Sequence, residues 1–335
     1  MTKRLAEVAR KAGVSEATVS RVLNGRNGVS ESTRASVLTA LDVLGYERPT
    51  KLRGERGRLV GLVLPELQNP IFPALAEVVT ASLAQRGFTP ALCARTIGGV
   101  PERDYIEMLL DHQVSGVVFA GGSYALAGAE HGHYKQLLDR RMPVVMVNAG
   151  VNAGFPHIST DDAVAVEQAY GHLRSLGHER IGLVLGPEDH VPSRRKLAAV
   201  AGVAGWDAPE SQWPVERTNF SMESARLAAS RLIARGVTGM ICASDVLALG
   251  SIRAARRLGL EVPSDVSVVG FDDSVLMTCT DPPLTTVRQP IELMGQAAVD
   301  ILVNQIEGAP GTTDELLFEP ELVVRGSTAP ARPRG

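Results

Sequence analysis

Short apolar runs that alternate with stretches of helical period constrain this chain more than any other feature. From Leu59 onward the runs are Leu59–Leu64, Pro90–Ala94, Gly116–Ala120, Val144–Val147, Ile181–Leu185, Gly239–Ala243 and Val266–Gly270. They are apolar on successive residues rather than alternate ones, the pattern of strands buried on both faces, as in parallel sheets. Between them lie Phe72–Arg86, Glu102–His112, Ala163–Leu176, Ser193–Ala204, Met222–Arg235, Val246–Leu258 and Ile291–Glu307, whose pattern is helical. This rhythm predicts doubly wound α/β layers. Roughly 270 residues is large for one such sheet, so two similar lobes with a cleft between them are expected.

The chain has 335 residues, enough for two or three domains. Apolar residues at 44% and charged residues at 21% exclude wholesale disorder. No uncharged apolar run approaches a membrane span of about 20 residues. The basic opening has no apolar stretch of the kind a secretory signal needs. Cys93, Cys242 and Cys279 are widely spaced and give neither a disulfide framework nor a CxxC pair. A cytoplasmic protein is expected. No short-period repeat is present, and the tail Ala329–Gly335 reads as disordered.

The net charge of −3 hides an asymmetry. Residues 1–58 hold twelve Lys and Arg against six Asp and Glu, a net +6; the remainder holds 22 against 31, a net −9. A basic head on an acidic body either meets a polyanion or carries a solvated basic face. Within the head, three helices are expected: Lys3–Lys11 with Thr2 as N-cap, Glu16–Leu23 capped by Ser15, and Glu31–Leu44 capped by Ser30. Gly13 supplies the turn between the first two. Ser15, Glu16, Ala17, Thr18, Ser20 and Arg21 then lie on the open face or N-terminal end of the second helix. Hydroxyls and a helix N-terminus suit phosphates, and an Arg there reaches guanine in the major groove. The plan is that of a helix-turn-helix DNA reader, or of a three-helix interaction module that never touches DNA.

The residues Leu5-Ala6-Glu7-Val8-Ala9-Arg10-Lys11-Ala12-Gly13-Val14-Ser15, Thr18-Val19-Ser20-Arg21-Val22-Leu23-Asn24, Val29-Ser30 and Thr33-Arg34 resemble the head of the lactose-repressor (LacI/GalR) family. By that resemblance Glu16 and Ala17 sit where the family reads bases, and Arg21 is a further base reader. Ser15, Thr18, Ser20, Asn24 and Thr33 match positions that contact phosphate. Glu16 either accepts from cytosine or orients Arg21, or is a plain helix-start residue. Arg4 stands where the family has a small capping hydroxyl. The basic, Pro- and Gly-containing linker 47–58 matches the family hinge, in which a Leu wedges into the minor groove. Leu52 matches that Leu, as a wedge or as linker packing, although the stretch before it is about three residues short.

The resemblance continues through Ser175-Leu176-Gly177-His178-Glu179-Arg180-Ile181-Gly182, Asp245 with Ala248-Leu249-Gly250, Pro263–Asp273 and Pro282–Gln289. It implies an N-terminal all-α helix-turn-helix head on a two-lobed, periplasmic-binding-protein-like core of doubly wound parallel sheets. The divisions are 1–46 for the head, 47–58 for the hinge, 59–328 for the core and 329–335 for the tail. Lobe 1 takes about 59–158 and 290–318, and lobe 2 about 161–287 and 320–328. Crossings fall near Ser159–Asp161, Arg288–Pro290 and Phe318–Pro320.

A sugar-type pocket needs carboxylates and amides for hydroxyls, and apolar faces for the ring. By matched position Asp272 is the acceptor, or else a helix cap. Phe220 and Phe72 stack on the ligand, or else pack in the core. Asn148 ends a strand at the mouth of the first lobe. Lys196 sits where the family places a ligand-binding Arg and loses its two-pronged donor, unless it is simply solvated. Arg194 is a substitute for it, and Ser244 replaces a common Asn.

No GxxxxGK[ST], GxGxxG, HExxH or Gly-x-Ser-x-Gly pattern is present. The pair His131 and His133 has the spacing of a possible metal site but reads better as solvated. No enzyme activity and no cofactor are expected. The resemblance implies a homodimeric regulator, a repressor, that binds a near-palindromic double-stranded DNA operator and answers to a small-molecule, sugar-like effector. Two readings stand against it: a solute-binding protein without a DNA-binding role, and an α/β enzyme whose head only dimerises.

Overall fold

The computed structural model describes residues 2–23, 28–44, 58–95, 98–207, 212–309 and 313–332. The chain divides into two compact units, Met1–Arg58 and Leu59–Gly335.

The first unit contains α1 (Thr2–Ala12), α2 (Glu16–Leu23) and α3 (Glu31–Val43). Thr2 is the first helical residue and does not precede the helix as its cap. Val8, Ala9, Val19, Val22, Val37, Ala40 and Leu41 form the buried centre, one stripe from each helix. Gly13 has φ +68° with open space where a Cβ would stand, so conformation alone calls for glycine there. The turn is closed by the Val14 amide donating to the Ala9 carbonyl at 3.0 Å.

The second unit runs β1 (Arg58–Leu64), α4 (Ile71–Gln85), β2 (Phe88–Ala94), α5 (Glu102–Asp111), β3 (Gly116–Phe119), α6 (Lys135–Asp139), β4 (Val144–Val147) and β5 (His157–Thr160). It continues with α7 (Asp162–Ser175), β6 (Ile181–Leu185), α8 (Val191–Ala204), β7 (Val215–Arg217), α9 (Met222–Ala234), β8 (Gly239–Cys242), α10 (Asp245–Arg257), β9 (Ser267–Asp272) and β10 (Thr285–Arg288). It ends with α11 (Ile291–Ile306), β11 (Glu315–Phe318) and β12 (Glu321–Val323). Two six-stranded sheets result, in the orders β11-β5-β4-β3-β1-β2 and β12-β10-β9-β8-β6-β7. Within the first, β1 pairs parallel with β3, β3 with β4, β4 with β5 and β5 with β11. In the second, β12 runs antiparallel to β10.

The successive apolar residues of the strands face two different layers. In the first lobe Val60, Leu62 and Leu64 pack with Leu75, Val79 and Leu83 of α4 and with Met294, Val299 and Leu302 of α11. Val63, Val117 and Phe119 face Ile106 and Leu109 of α5 on the other side. Three segments pass between the lobes: Asp161 after β5, Gln289–Pro290 after β10, and Glu319–Pro320 after β11. Asp161 also caps α7, its carboxylate accepting from the Ala163 and Val164 amides at 3.0 and 3.1 Å.

The tail differs from the sequence expectation. Ala329–Arg332 is not free chain. The Ala329 amide donates to Ser267 Oγ at 3.0 Å, its carbonyl bonds His178 Nε2 at 3.0 Å, and the Ala331 amide donates to the Leu176 carbonyl at 2.8 Å. His178 is buried, and its Nε2 is shared between the tail carbonyl and Ser267 Oγ, the latter at 2.9 Å. Residues 333–335 lie outside the described residues. Among the described residues no helix is long and apolar enough to cross a membrane.

Candidate functional site

In the head, Ser15 caps α2: its Oγ accepts from the Thr18 amide at 3.2 Å and bonds the Thr18 hydroxyl at 2.9 Å. Ser15, Glu16, Ala17 and Arg21 are exposed on the face opposite Val19 and Val22, and Thr18 and Ser20 are half-buried. Glu16 opens the helix, where its charge suits the positive end of the dipole. Thr33 lies at the start of α3 and accepts from the Ser30 hydroxyl at 2.8 Å. Asn24 and Leu52 lie outside the described residues.

In the second unit a cavity of about 610 Å³ opens at the carboxyl ends of the strands, between the lobes. Phe72, Asn148, Lys196, Phe220, Ser244 and Asp272 all line it. Asn148 follows β4 with φ +82°. Phe220 packs against Gly186, where any Cβ would come within 2.4 Å of the ring, and its ring meets His190 edge-on at 4.9 Å. Asp272 ends β9, two residues beyond the expected strand end. It caps no helix. It is buried and accepts from Gln289 Nε2 at 2.7 Å and Asn69 Nδ2 at 3.3 Å. Burial, and then the nearby Asp245 charge, hold its carboxyl well above the usual carboxylate range.

Lys196 is not solvated. It is buried, paired with Asp162, and its Nζ stands 3.8 Å from the centre of the Phe271 ring. Burial raises the Asp162 carboxyl, and the Lys196 charge opposes that shift. Arg194 is exposed and does not line the cavity. Two residues along a helix is a turn of about 200°, so a side chain two positions before a cavity-facing Lys196 points away. Ser244 is the cap of α10, accepting from the Leu247 amide at 3.2 Å. The Asp245 carboxylate behind it accepts from the Ser274 amide at 2.8 Å and from Thr286 Oγ1 at 2.6 Å, and burial pushes it up to about 6.

Sequence reasoning did not select Glu66, Asn69, Arg95, Thr160, His190 or Gln289, which also line the cavity. Thr160 donates to Gln289 Oε1 at 2.8 Å, which ties two crossings together beside Asp272. Burial, reinforced by the Lys196 charge, pushes His190 down to about 3, so its ring is neutral. Opposite the crossings the lips of the cleft meet: the Ala127 amide donates to the Asp189 carbonyl at 2.8 Å, and Leu126 and His190 form an antiparallel bridge. His131 and His133 part ways, one bonding the Ser123 and Leu126 carbonyls and the other Glu102. Among the described residues no group of three or more His, Cys, Asp or Glu is placed to hold a metal.

Residues 4–49 match the family described as bacterial regulatory proteins, lacI family, and residues 170–328 match the periplasmic binding protein-like domain. The chain is 52% identical to the HTH-type transcriptional regulator MalR of Streptomyces coelicolor, over 99% of this chain and 98% of that protein. It belongs to the lacI family of bacterial regulatory proteins. A second relative, the repressor CytR of Escherichia coli, is 30% identical over 96% of this chain and 95% of its own length. Two solved structures share the fold. The regulator CelR in complex with cellobiose has a TM-score of 0.71 at 30% identity, covering 96% of this chain and 99% of its own. The lac repressor dimer bound to operator and the anti-inducer ONPF has a TM-score of 0.71 at 29% identity, covering 96% and 98%. This lacI-family chain is therefore a DNA-binding transcriptional regulator with an effector domain, and the reading as a solute-binding protein without a DNA-binding role is set aside.

Proposed function

We propose that this protein is a repressor that binds a near-palindromic operator as a homodimer in the cytoplasm, controlled by a sugar held between the lobes. The observation that carries the effector half is the cavity itself. A buried carboxylate, Asp272, is flanked by the amides of Asn69 and Gln289, with Phe72 and Phe220 on the walls. Carboxylate and amide oxygens accept from hydroxyls, amide nitrogens donate to them, and aromatic faces cover the C–H side of a pyranose. The Lys196–Asp162 pair cancels its own charge, which suits a neutral ligand better than a phosphorylated one. Relatives solved with cellobiose and with ribose support the same class.

In the head, Glu16, Ala17 and Arg21 read base edges from the exposed face of α2, while Ser15, Thr18, Ser20, Asn24 and Thr33 hold the phosphates. Leu52 in the hinge wedges the minor groove. The working divisions are head 1–46, hinge 47–58 and core 59–328. Two heads related by a two-fold axis require matching half-sites. The protein is not assigned a catalytic role. The test is a gel-shift titration of promoter fragments from the neighbouring genes, run with and without each member of a sugar panel. Retardation of one fragment, altered by one sugar, is expected. No retardation by any fragment refutes the operator role, and retardation that no sugar alters refutes the effector role.

A further inference from the structure

The strand that delivers Asp272 to the cavity ends in a strained turn. Asp272 has φ +124° and Asp273 φ +57°. The second value lies in the left-handed region, which Asp tolerates; the first lies where L-residues are rarely found. A backbone of this kind persists only where its surroundings over-determine it, and it concentrates at ligand clamps.

Successive side chains of the turn have different partners. Asp272 lines the cavity and is met by Gln289 and Asn69. Asp273 is not among the lining residues, yet its side chain is only 6% exposed. Its Oδ2 accepts from Arg288 Nε at 2.8 Å, and its Oδ1 pairs with Arg325 Nη2 at 2.6 Å. Ser274 is held by Asp245, its amide and hydroxyl donating to one carboxylate oxygen at 2.8 and 2.9 Å. The two arginines are fixed in turn. Arg288 Nη1 donates to Glu321 Oε2 at 3.0 Å, and Arg325 Nη1 donates to the Leu284 carbonyl at 2.8 Å.

Arg288 and Gln289 are consecutive, at the end of β10 and the start of a crossing. One short stretch of backbone therefore grips both aspartates, Asp273 through Arg288 and Asp272 through Gln289. A carboxylate shared by two guanidiniums makes charge-assisted bonds, stronger than neutral ones, and can hold a turn that its own torsions disfavour. Relaxing φ at either aspartate would re-aim the Asp272 side chain. We infer that Asp273 is a positioning residue for the effector: clamped by Arg288 and Arg325, it holds Asp272 at the angle at which its carboxyl meets a sugar hydroxyl. The inference rests on the sugar reading proposed above and adds the residue that aims its acceptor.

A double-mutant cycle with Asp272→Asn tests it on the full-length protein. Affinity is read by calorimetry, and by thermal shift at high sugar concentration where binding is weak. The probes are glucose, galactose, ribose, maltose, cellobiose, lactose and trehalose, and the one that wild type binds most tightly is carried through the cycle. Asp273→Gly removes the carboxylate but suits the positive φ, so the thermal midpoint should change little. The sugar should nonetheless bind roughly tenfold to a hundredfold more weakly, as loss of a hydrogen bond to a charged group does. Asp273→Asn keeps an acceptor oxygen and the tolerance of positive φ, and should recover part of that loss. In the Asp272→Asn background, where the aimed group is already altered, either change should cost less than about threefold. The cycle closes on Asp273→Asn alone if Asp273→Gly does not fold. Unchanged affinity in the Asp273 variants, or a loss by the same factor in both backgrounds, overturns the positioning role while the sugar reading stands. Failure of wild type to bind any of the probes overturns the sugar reading itself, and the positioning role with it.

Discussion

Replacing Lys196 by Met isolates the cost of the buried ion pair. Lys196 and Asp162 have side chains about 7% exposed, so removing the ammonium strands a carboxylate with almost no access to water. The folded protein must then take up a proton on Asp162. Holding a carboxyl protonated at pH 7 against its ordinary value of 3.8 costs about 1.4 kcal/mol per pH unit, which sets a ceiling of about 4 kcal/mol. Loss of the contact between the charge and the Phe271 ring adds about 0.5–2 kcal/mol, while the Met side chain keeps the apolar stem in place. A destabilisation of about 3–5 kcal/mol is expected at pH 7, in line with other broken buried pairs. The sign of its pH dependence follows from linkage. In the variant the folded-state carboxyl titrates above its unfolded value, so between the two values only the folded state binds the proton. The stability of the variant therefore falls relative to wild type as pH rises above about 4, and the penalty fades below that. Urea unfolding followed by Trp206 and Trp213, both in the second lobe, reads this at pH 7 and at pH 5. Adding Asp162→Asn should recover most of the loss. A loss under about 1 kcal/mol at pH 7, or one equal at the two pH values, refutes the reasoning.

Three further outcomes are expected. Arg21→Ala weakens operator binding by about 1–3 kcal/mol in a gel-shift titration, and unchanged affinity removes Arg21 from the base-reading face. Ser15→Ala leaves the Thr18 amide uncapped and lowers the stability of the head by about 1 kcal/mol, read as faster amide exchange across α2; equal protection in both proteins counts against the cap. Leu126→Cys with His190→Cys places two thiols on facing bridge partners, about 4.5–5.5 Å apart at Cα and within disulfide reach. The oxidised form should exchange sugar far more slowly than the reduced form in stopped-flow mixing, and equal rates would show that ligand enters elsewhere.

The strands that carry the layers were legible because their apolar residues run in sequence. The ones that were not legible are polar. β5 reads His157-Ile-Ser-Thr and is nonetheless buried throughout, and in β10 Thr285 and Thr286 are buried with their hydroxyls bonded to Thr328 and Asp245. The Thr160, Thr285 and Thr286 hydroxyls find partners far along the chain, which no local pattern reports. The tail was misread for the same reason, since His178 and Ser267 hold it from a distance. Matched positions placed Asp272, Phe72 and Phe220 on the cavity, but they could not show that Lys196 spends its charge on Asp162, 34 residues away. Arg194 was misplaced because helical phase, rather than nearness in sequence, decides which side chain faces inward. Glu66 and Arg95 belong to no motif, and both line the cavity because the ends of β1 and β2 lie side by side in the sheet.

The control proposed above, by a sugar held between the lobes, has an energetic basis in the same structure. Each lobe has its own apolar core, and among the described residues the apolar clusters stay on their own side of the cleft. What joins the lobes, apart from the three crossings, is polar and sparse. At the lips, among the described residues, there is one antiparallel bridge between Leu126 and His190, closed by the Ala127 amide bond to the Asp189 carbonyl. Beside the crossings Arg195 of α8 holds Glu315 of β11 through two bonds of 2.6 and 3.0 Å, and Asn69 reaches Asp272. Each such contact is worth about 1 kcal/mol net, and a partly exposed ion pair no more. Opening the cleft would therefore break only a few such contacts, whereas unfolding a lobe would expose a whole core. A sugar that contacts both lobes at once gains differential energy of the same size, about 1–3 kcal/mol, and that is enough to shift the balance between the two arrangements. Stronger apolar cement across the cleft would leave the lobes in a single arrangement, and binding there would then have no means of reaching the head.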